Sequence, residues 1–218
     1  MENILNRMEV RVLGCLIEKE LATPEYYPLS LNALTNACNQ RSNRNPIMTM
    51  AEAEVSAVLE SLRTRQLALV SAQGGRVAKY RHALMEKLRL DPAELALLAE
   101  LLLRGPQTAG ELRIRGERMH PFADLAAVEE ALQELAERTP PLVALLPRMP
   151  GHKEPRYMHM FGGGAETADE AHELQEDARH SIVAENDRIV NLEREVSYLR
   201  AEVAELRRSV EEFKAQFV

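Results

Sequence analysis

One order of segments occurs twice in this chain, and that recurrence limits its fold more than any other feature of the sequence. In the first copy, residues 4–21 carry Leu5, Met8, Val12, Leu16 and Ile17 at three- and four-residue spacing, the period of an amphipathic helix. Thr23-Pro24 and Tyr27-Pro28 break it. Ser30 then caps a short helix predicted to reach about Gln40, with Leu31, Leu34 and Cys38 inward. A polar turn follows, Arg41-Ser42-Asn43-Arg44-Asn45-Pro46, and Thr49 is predicted to cap a longer helix to about Gln66. Its apolar stripe is Val55, Val58, Leu59 and Leu62. Leu67–Val70 and Arg76–Tyr80, on either side of Gln73-Gly74-Gly75, read as a β-hairpin.

The second copy begins at Asp91, which opens an Ala/Leu helix stopped by Gly105-Pro106. Thr108 caps a helix to about Arg118, His120-Pro121 marks a turn, and Asp124 caps a third helix with Val128, Leu132 and Leu135 inward. Leu142–Leu146 and Arg156–Met160 are the expected strands around Pro150-Gly151-His152-Lys153-Glu154. Val55, Leu59, Leu62, Arg65, Leu69 and Val70 map onto Val128, Leu132, Leu135, Arg138, Leu142 and Val143 at a constant 73 residues. Lys79-Tyr80-Arg81-His82 corresponds to Arg156-Tyr157-Met158-His159 at 77, so the second hairpin is longer. Three helices followed by a hairpin is the order of a winged helix, a helix-turn-helix variant with a β-wing. The predicted fold is mainly α with small β-wings: winged-helix domains over residues 1–85 and 86–161, in tandem.

Gly162-Gly163-Gly164 reads as a hinge, since no Gly-Lys-Ser/Thr follows to make it a phosphate loop. Residues 162–181 join that hinge to an acidic helical stretch, and residues 182–218 are predicted to be a coiled-coil helix. There Ile182, Ile189, Val196, Val203, Val210 and Phe217 recur every seven residues, with Leu192, Leu199, Leu206 and Phe213 at the d positions. Glu185 occupies the first d position, so the seam starts near Ile189. β-Branched residues at a with Leu at d favour a parallel pair of helices. In such a pair, Arg188 faces Glu193, Glu195 faces Arg200, and Glu202 faces Arg207, all of opposite sign. A parallel homodimer is expected through Ile189, Leu192, Val196, Leu199, Val203, Leu206, Val210 and Phe213. The alternative is one amphipathic helix packed on its own domains, which has no need of matched e and g charges.

Charge and composition narrow the classes. The net charge is −7, and residues 162–218 hold 14 Asp/Glu against 7 Lys/Arg, so the acidic excess lies there. Neither half of the remainder is a basic nucleic-acid module by bulk charge. The longest apolar run, Leu95–Leu103, is interrupted by Glu100 and falls far short of the ~20 residues of a membrane span. Met1-Glu2-Asn3 does not open a basic-then-apolar leader, so a cytoplasmic location is expected.

Three segments carry a family resemblance: Glu9-Val10-Arg11-Val12-Leu13-Gly14-Cys15-Leu16-Ile17-Glu18-Lys19, Cys38-Asn39-Gln40-Arg41-Ser42-Asn43-Arg44-Asn45-Pro46, and Lys79-Tyr80-Arg81-His82. They resemble the YceH-type family of bacterial proteins, over Arg7–His82 and onward to about residue 161. The resemblance implies paired winged-helix domains with a helical tail. It implies no activity.

On a winged helix, the third helix, the turn before it and the wing meet DNA. The turn offers two cations for phosphates and amides able to read adenine edges, in Arg41, Ser42, Asn43, Arg44 and Asn45. The first wing offers Arg76, Lys79 and Arg81. A dimeric, sequence-specific DNA-binding regulator is therefore one expectation. Against it, the third helices carry Glu52 and Glu60 in the first copy and Asp124, Glu129, Glu130 and Glu134 in the second. The competing expectation is an acidic adaptor that uses paired winged helices to bind another protein. In that case Arg41 and Arg44 cap helix carbonyls or pair with Glu, and Asn43 and Asn45 serve the turn. No enzyme is expected: GxSxG, HExxH and P-loop motifs are missing from the sequence, as are cofactor boxes and metal-ligand clusters. Cys15 and Cys38 fall on core sides of their helices, and His82 and His159 at matching points of the repeat, so all four read as structural. His172 and His180, two helical turns apart, read as solvated. Truncating the chain after Ser181 is expected to halve its mass in solution by light scattering, and an unchanged mass rules the heptads out as a dimer seam.

Overall fold

The computed structural model describes residues 4–71, 77–147 and 154–162. The expectations for residues 163–218, including every proposed dimer-seam position, lie outside the described residues, as does Arg76. Within them the chain is mainly helical, with small antiparallel sheets.

Helix α1 (Arg7–Ala22) starts later than its apolar spacing suggests because Asn6 caps it. Asn6 Oδ1 accepts from the amides of Met8 and Glu9 at 2.9 and 3.0 Å, and the Glu9 carboxylate accepts from Asn6 N at 2.9 Å. Leu29–Ser30 forms β1, a strand too short to show any alternation, and Ser30 caps α2 (Leu31–Cys38) as expected. Thr49 does not cap the next helix. Asn39 brackets the backbone of Met50, donating to its carbonyl at 2.8 Å and accepting from its amide at 2.7 Å. That bond pair ties down Met50, and α3 (Glu52–Thr64) starts after it from an extended Ala51, with Glu54 accepting from Ala51 N.

Strands β2 (Ala68–Val70) and β3 (Lys79–His82) pair antiparallel, and β1 joins the other edge of β3 to give the order β1-β3-β2. A short helix α4 (Leu84–Leu88), invisible as a period at five residues, leads to α5 (Pro92–Arg104). Helices α6 (Ala109–Gly116) and α7 (Leu125–Glu137) then precede the hairpin of β4 (Val143–Leu145) and β5 (Tyr157–His159).

The two copies match in detail. Helices α2 and α6 have eight residues each, and α3 and α7 have thirteen, offset by 73. Leu29 pairs with Tyr80 in the first copy, and an isolated bridge joins Gln107 to Tyr157 at the same place in the second. The strands slip, however. His82 faces Ala68 while His159 faces Val143, so β2 and β4 are offset by 75 rather than 73. Pro140-Pro141 lies in the connection where the slip accumulates, and proline cannot donate to a ladder.

One apolar core serves both copies. Every residue of α5 from Glu94 to Leu103 is buried, as expected of a helix apolar on all sides. It packs against α1 in the first copy and against α6, α7 and β5 in the second. Gly14 lies where α1 meets α5: a Cβ there would stand 3.0 Å from the Leu103 side chain and 3.1 Å from Leu102 Cβ. Gly14→Val is expected to lower stability by about 1–3 kcal/mol through overpacking, read as a fall in the thermal midpoint by circular dichroism. An unchanged midpoint would mean the helices separate freely.

Candidate interaction site

The turn between α2 and α3 was the leading sequence candidate for contacts with DNA, and the fold turns much of it inward. The Arg44 side chain is 0% exposed. Its Nη2 donates to Glu18 Oε2 at 2.6 Å and its Nη1 to Glu18 Oε1 at 3.3 Å, a two-pronged pair with a carboxylate that is also 0% exposed. The same guanidinium donates to the Ala37 carbonyl at 3.1 and 2.9 Å and to Gln40 Oε1 at 3.0 Å, closing the end of α2. Arg44 has no surface left to offer a phosphate. Burial opposes ionisation of Glu18, but Arg44 outweighs it, with Lys19 and Arg118 adding, so the carboxyl stays below its ordinary range.

Asn43 and Asn45 face the second copy. Asn43 adopts a left-handed backbone (φ 57°), which Asn tolerates, and its Oδ1 accepts from Arg104. Asn45 N donates to the Leu103 carbonyl at 2.9 Å, and Asn45 Nδ2 reaches the Arg104 carbonyl at 3.4 Å. The turn thus satisfies carbonyls at the C-terminal end of α5. Arg41 and Ser42 remain exposed. On the hairpin, Lys79 is exposed, whereas Arg81 donates to Glu86 at 2.6 Å. The structure therefore does not gather the seven described candidates on one face: three serve the fold, Arg81 is paired, and Arg41, Ser42 and Lys79 are open.

The exposed faces of the third helices are acidic. On α3, Glu52 and Glu60 are exposed, and Glu60 holds Arg63 at 2.5 Å. On α7, Glu129, Glu130 and Glu134 are exposed with no ion pair among the described residues, and Glu137 accepts from Gln133 at 2.8 Å. Sequence reasoning saw these carboxylates but missed the role of Glu18. The available signal was its spacing, one turn after Cys15 on the buried side of α1.

The four residues read as structural behave so where they are described. Cys15 and Cys38 are buried free thiols. His82 Nδ1 accepts from Leu84 N at 3.2 Å, which puts the ring proton on Nε2, facing Glu20. His159 Nδ1 is sealed from water without a partner among the described residues, and burial pulls the ring pKa down to about 4. Among the described residues, no group of His, Cys, Asp and Glu could hold a metal ion, and no helix is long and apolar enough to cross a membrane.

Fold and site together define a mainly helical protein of two repeated helix–hairpin units, joined by a shared core helix and by the ion pair of Arg118 with Glu18. The chain belongs to the family described as "Protein of unknown function, DUF480", whose model matches residues 5–152. It is 68% identical over 218 residues, the whole of both chains, to a UPF0502 protein of Geotalea uraniireducens (strain Rf4). It is 63% identical over 218 residues, again the whole of both, to one of Geobacter sulfurreducens. A UPF0502 protein of Citrifermentans bemidjiense is 51% identical over 221 residues, 98% of each chain. This membership is consistent with the resemblance carried by the Cys15, Cys38 and Lys79 segments.

Arg44→Ala leaves the buried Glu18 with the half-buried Lys19 and the exposed Arg118 only, and is expected to cost about 3–5 kcal/mol in denaturant unfolding. Arg41→Ala, at an open site, is expected to stay within about 0.5 kcal/mol of the parent. Equal effects of the two would contradict the assignment of Arg44 to the core.

Proposed function

We propose that this chain is a tandem winged-helix adaptor, dimeric through residues 182–218, that takes a basic segment of another protein on its acidic third helices. The strand order β1-β3-β2 behind three helices supports the winged-helix reading of the first copy, and the Gln107–Tyr157 bridge supports it for the second. The observation that carries the adaptor reading is the exposed face of α7, where Glu129, Glu130 and Glu134 stand without ion pairs among the described residues. On a DNA-bound winged helix this surface enters the major groove between two phosphate backbones, where three free carboxylates are repelled. A Lys/Arg-rich partner meets the same carboxylates favourably, which speeds encounter and sets orientation.

A second reading, double-stranded DNA, is favoured by the open cations Arg41 and Lys79 beside the first unit's third helix and hairpin. The two readings separate by titrating the full chain, at ~150 mM salt, with a labelled Lys-rich amphipathic peptide and with fragmented genomic duplex. The adaptor reading expects peptide binding that E129Q/E130Q/E134Q weakens about tenfold, equivalent to about 1.4 kcal/mol, and no selected duplex. Recovery of a two-fold-symmetric site, lost on R41A/K79A, would overturn it in favour of DNA.

A further inference from the structure

The opposite charge collects where the two copies meet. Around Glu18, Lys19 stands at 3.2 Å and Arg44 at 2.6 Å, and Arg118 reaches the same carboxylate from just beyond α6. Arg104 Nε lies 3.1 Å from Glu100 Oε2, and Arg115 and Arg156 each lie 3.4 Å from Glu111. Among the described residues, six cations thus share three carboxylates. Even with the exposed Glu117 beside Arg118, positive charge is in excess by two. Arg44, Arg115, Arg118 and Glu100 all act on Arg104, so the charges at the seam are coupled through it.

The cluster is not saturated from within. Glu100 is 1% exposed, and its Oε2 and the Nε of Arg104 are sealed from water without a well-aligned hydrogen bond to either. Burial raises the Glu100 carboxyl above its ordinary range, against the pull of Arg104 and Arg118. At the rim, the side chains of Arg115 and Arg118 are 36% and 45% exposed; Arg115 Nη1 donates to Gln107 Oε1 at 2.8 Å and Arg118 Nη2 to Glu18, which leaves the other donors of each five-donor fork for an incoming anion. Arg113 is exposed on the same helix with no ion pair among the described residues. A low-dielectric wall behind unneutralised cations strengthens their pull on an anion.

We propose that the seam where the two copies meet binds a phosphate monoester group through the exposed forks of Arg115 and Arg118. An excess of two positive charges matches a phosphomonoester, which carries ≈ −1.5 to −2 at neutral pH, better than a phosphodiester with one charge. Guanidinium forks suit its paired oxygens. The surface is distinct from the acidic face of α7, and either assignment can fail alone.

The test is thermal unfolding of the full chain titrated with inorganic phosphate, with sodium chloride added to match ionic strength. The expected result is a rise in midpoint with phosphate and none with chloride, abolished in R115Q/R118Q and kept in R63Q. Because Arg118 also touches Glu18, R115Q alone, which leaves Glu18 untouched, is expected to weaken the phosphate response about fivefold or more while keeping the parent's circular dichroism. No phosphate-specific rise, or a full rise in R115Q, overturns the proposal. A phosphoserine peptide that binds in competition with phosphate identifies a phosphoprotein source, and competition only by a nucleoside monophosphate identifies a small metabolite. A duplex without terminal phosphates that binds through Arg115 while free phosphate does not overturns the monoester assignment.

Discussion

The ion pair between Glu18 and Arg44 is the constraint on which the arrangement of this molecule depends. Two charges at 0% exposure are costly to desolvate and return that cost only when geometry is good and the remaining donors and acceptors are occupied. Here they are occupied. Arg44 also closes the carbonyl end of α2, and Arg118 brings the second copy to the same carboxylate. One acidic side chain on α1 therefore ties together the first unit's turn and the segment just after the second unit's α6.

That tie works with the apolar contact between α1 and α5 rather than in place of it. Leucine contacts along α5 are strong but non-directional. The directional bonds from Asn45 to the Leu103 carbonyl and from Arg104 to Asn43 fix the register that the core leaves open. A single backbone approach at Gly14, with leucine atoms 3.0 Å from where a Cβ would be, sets the spacing. The two repeats are consequently one body with a shared core, and their surfaces divide by charge: carboxylates along α7, guanidiniums at the seam.

Much of the fold was legible because periodicity and capping are local. Ser30, Thr108 and Asp124 each cap the helix their spacing indicated, Asp91 caps the helix it was expected to begin, and Val55, Leu59 and Leu62 bury as Val128, Leu132 and Leu135 do. Failures came where a distant group intervened. Asn39 delays α3 past Thr49 by holding Met50, and β1 and α4 are too short to carry a period. The candidate site was less legible than the fold. The sequence 41–45 reads equally as a phosphate-facing loop or as a helix-capping turn, since Arg and Asn donate to phosphates and carbonyls alike.

The sequence by itself determined the recurrence of three helices and a hairpin, the apolar stripes, the caps, and the acidic character of α3 and α7. Each of these follows from residues within a few positions of one another. Only the tertiary structure decided that Arg44 is spent on Glu18 while Arg41 stays open, and that Arg104, Arg115 and Arg118 converge with Glu18 and Glu100. The physical reason is that a guanidinium takes whichever anion or carbonyl the packed chain brings within reach. For these arginines that partner lies as many as 100 residues away along the chain.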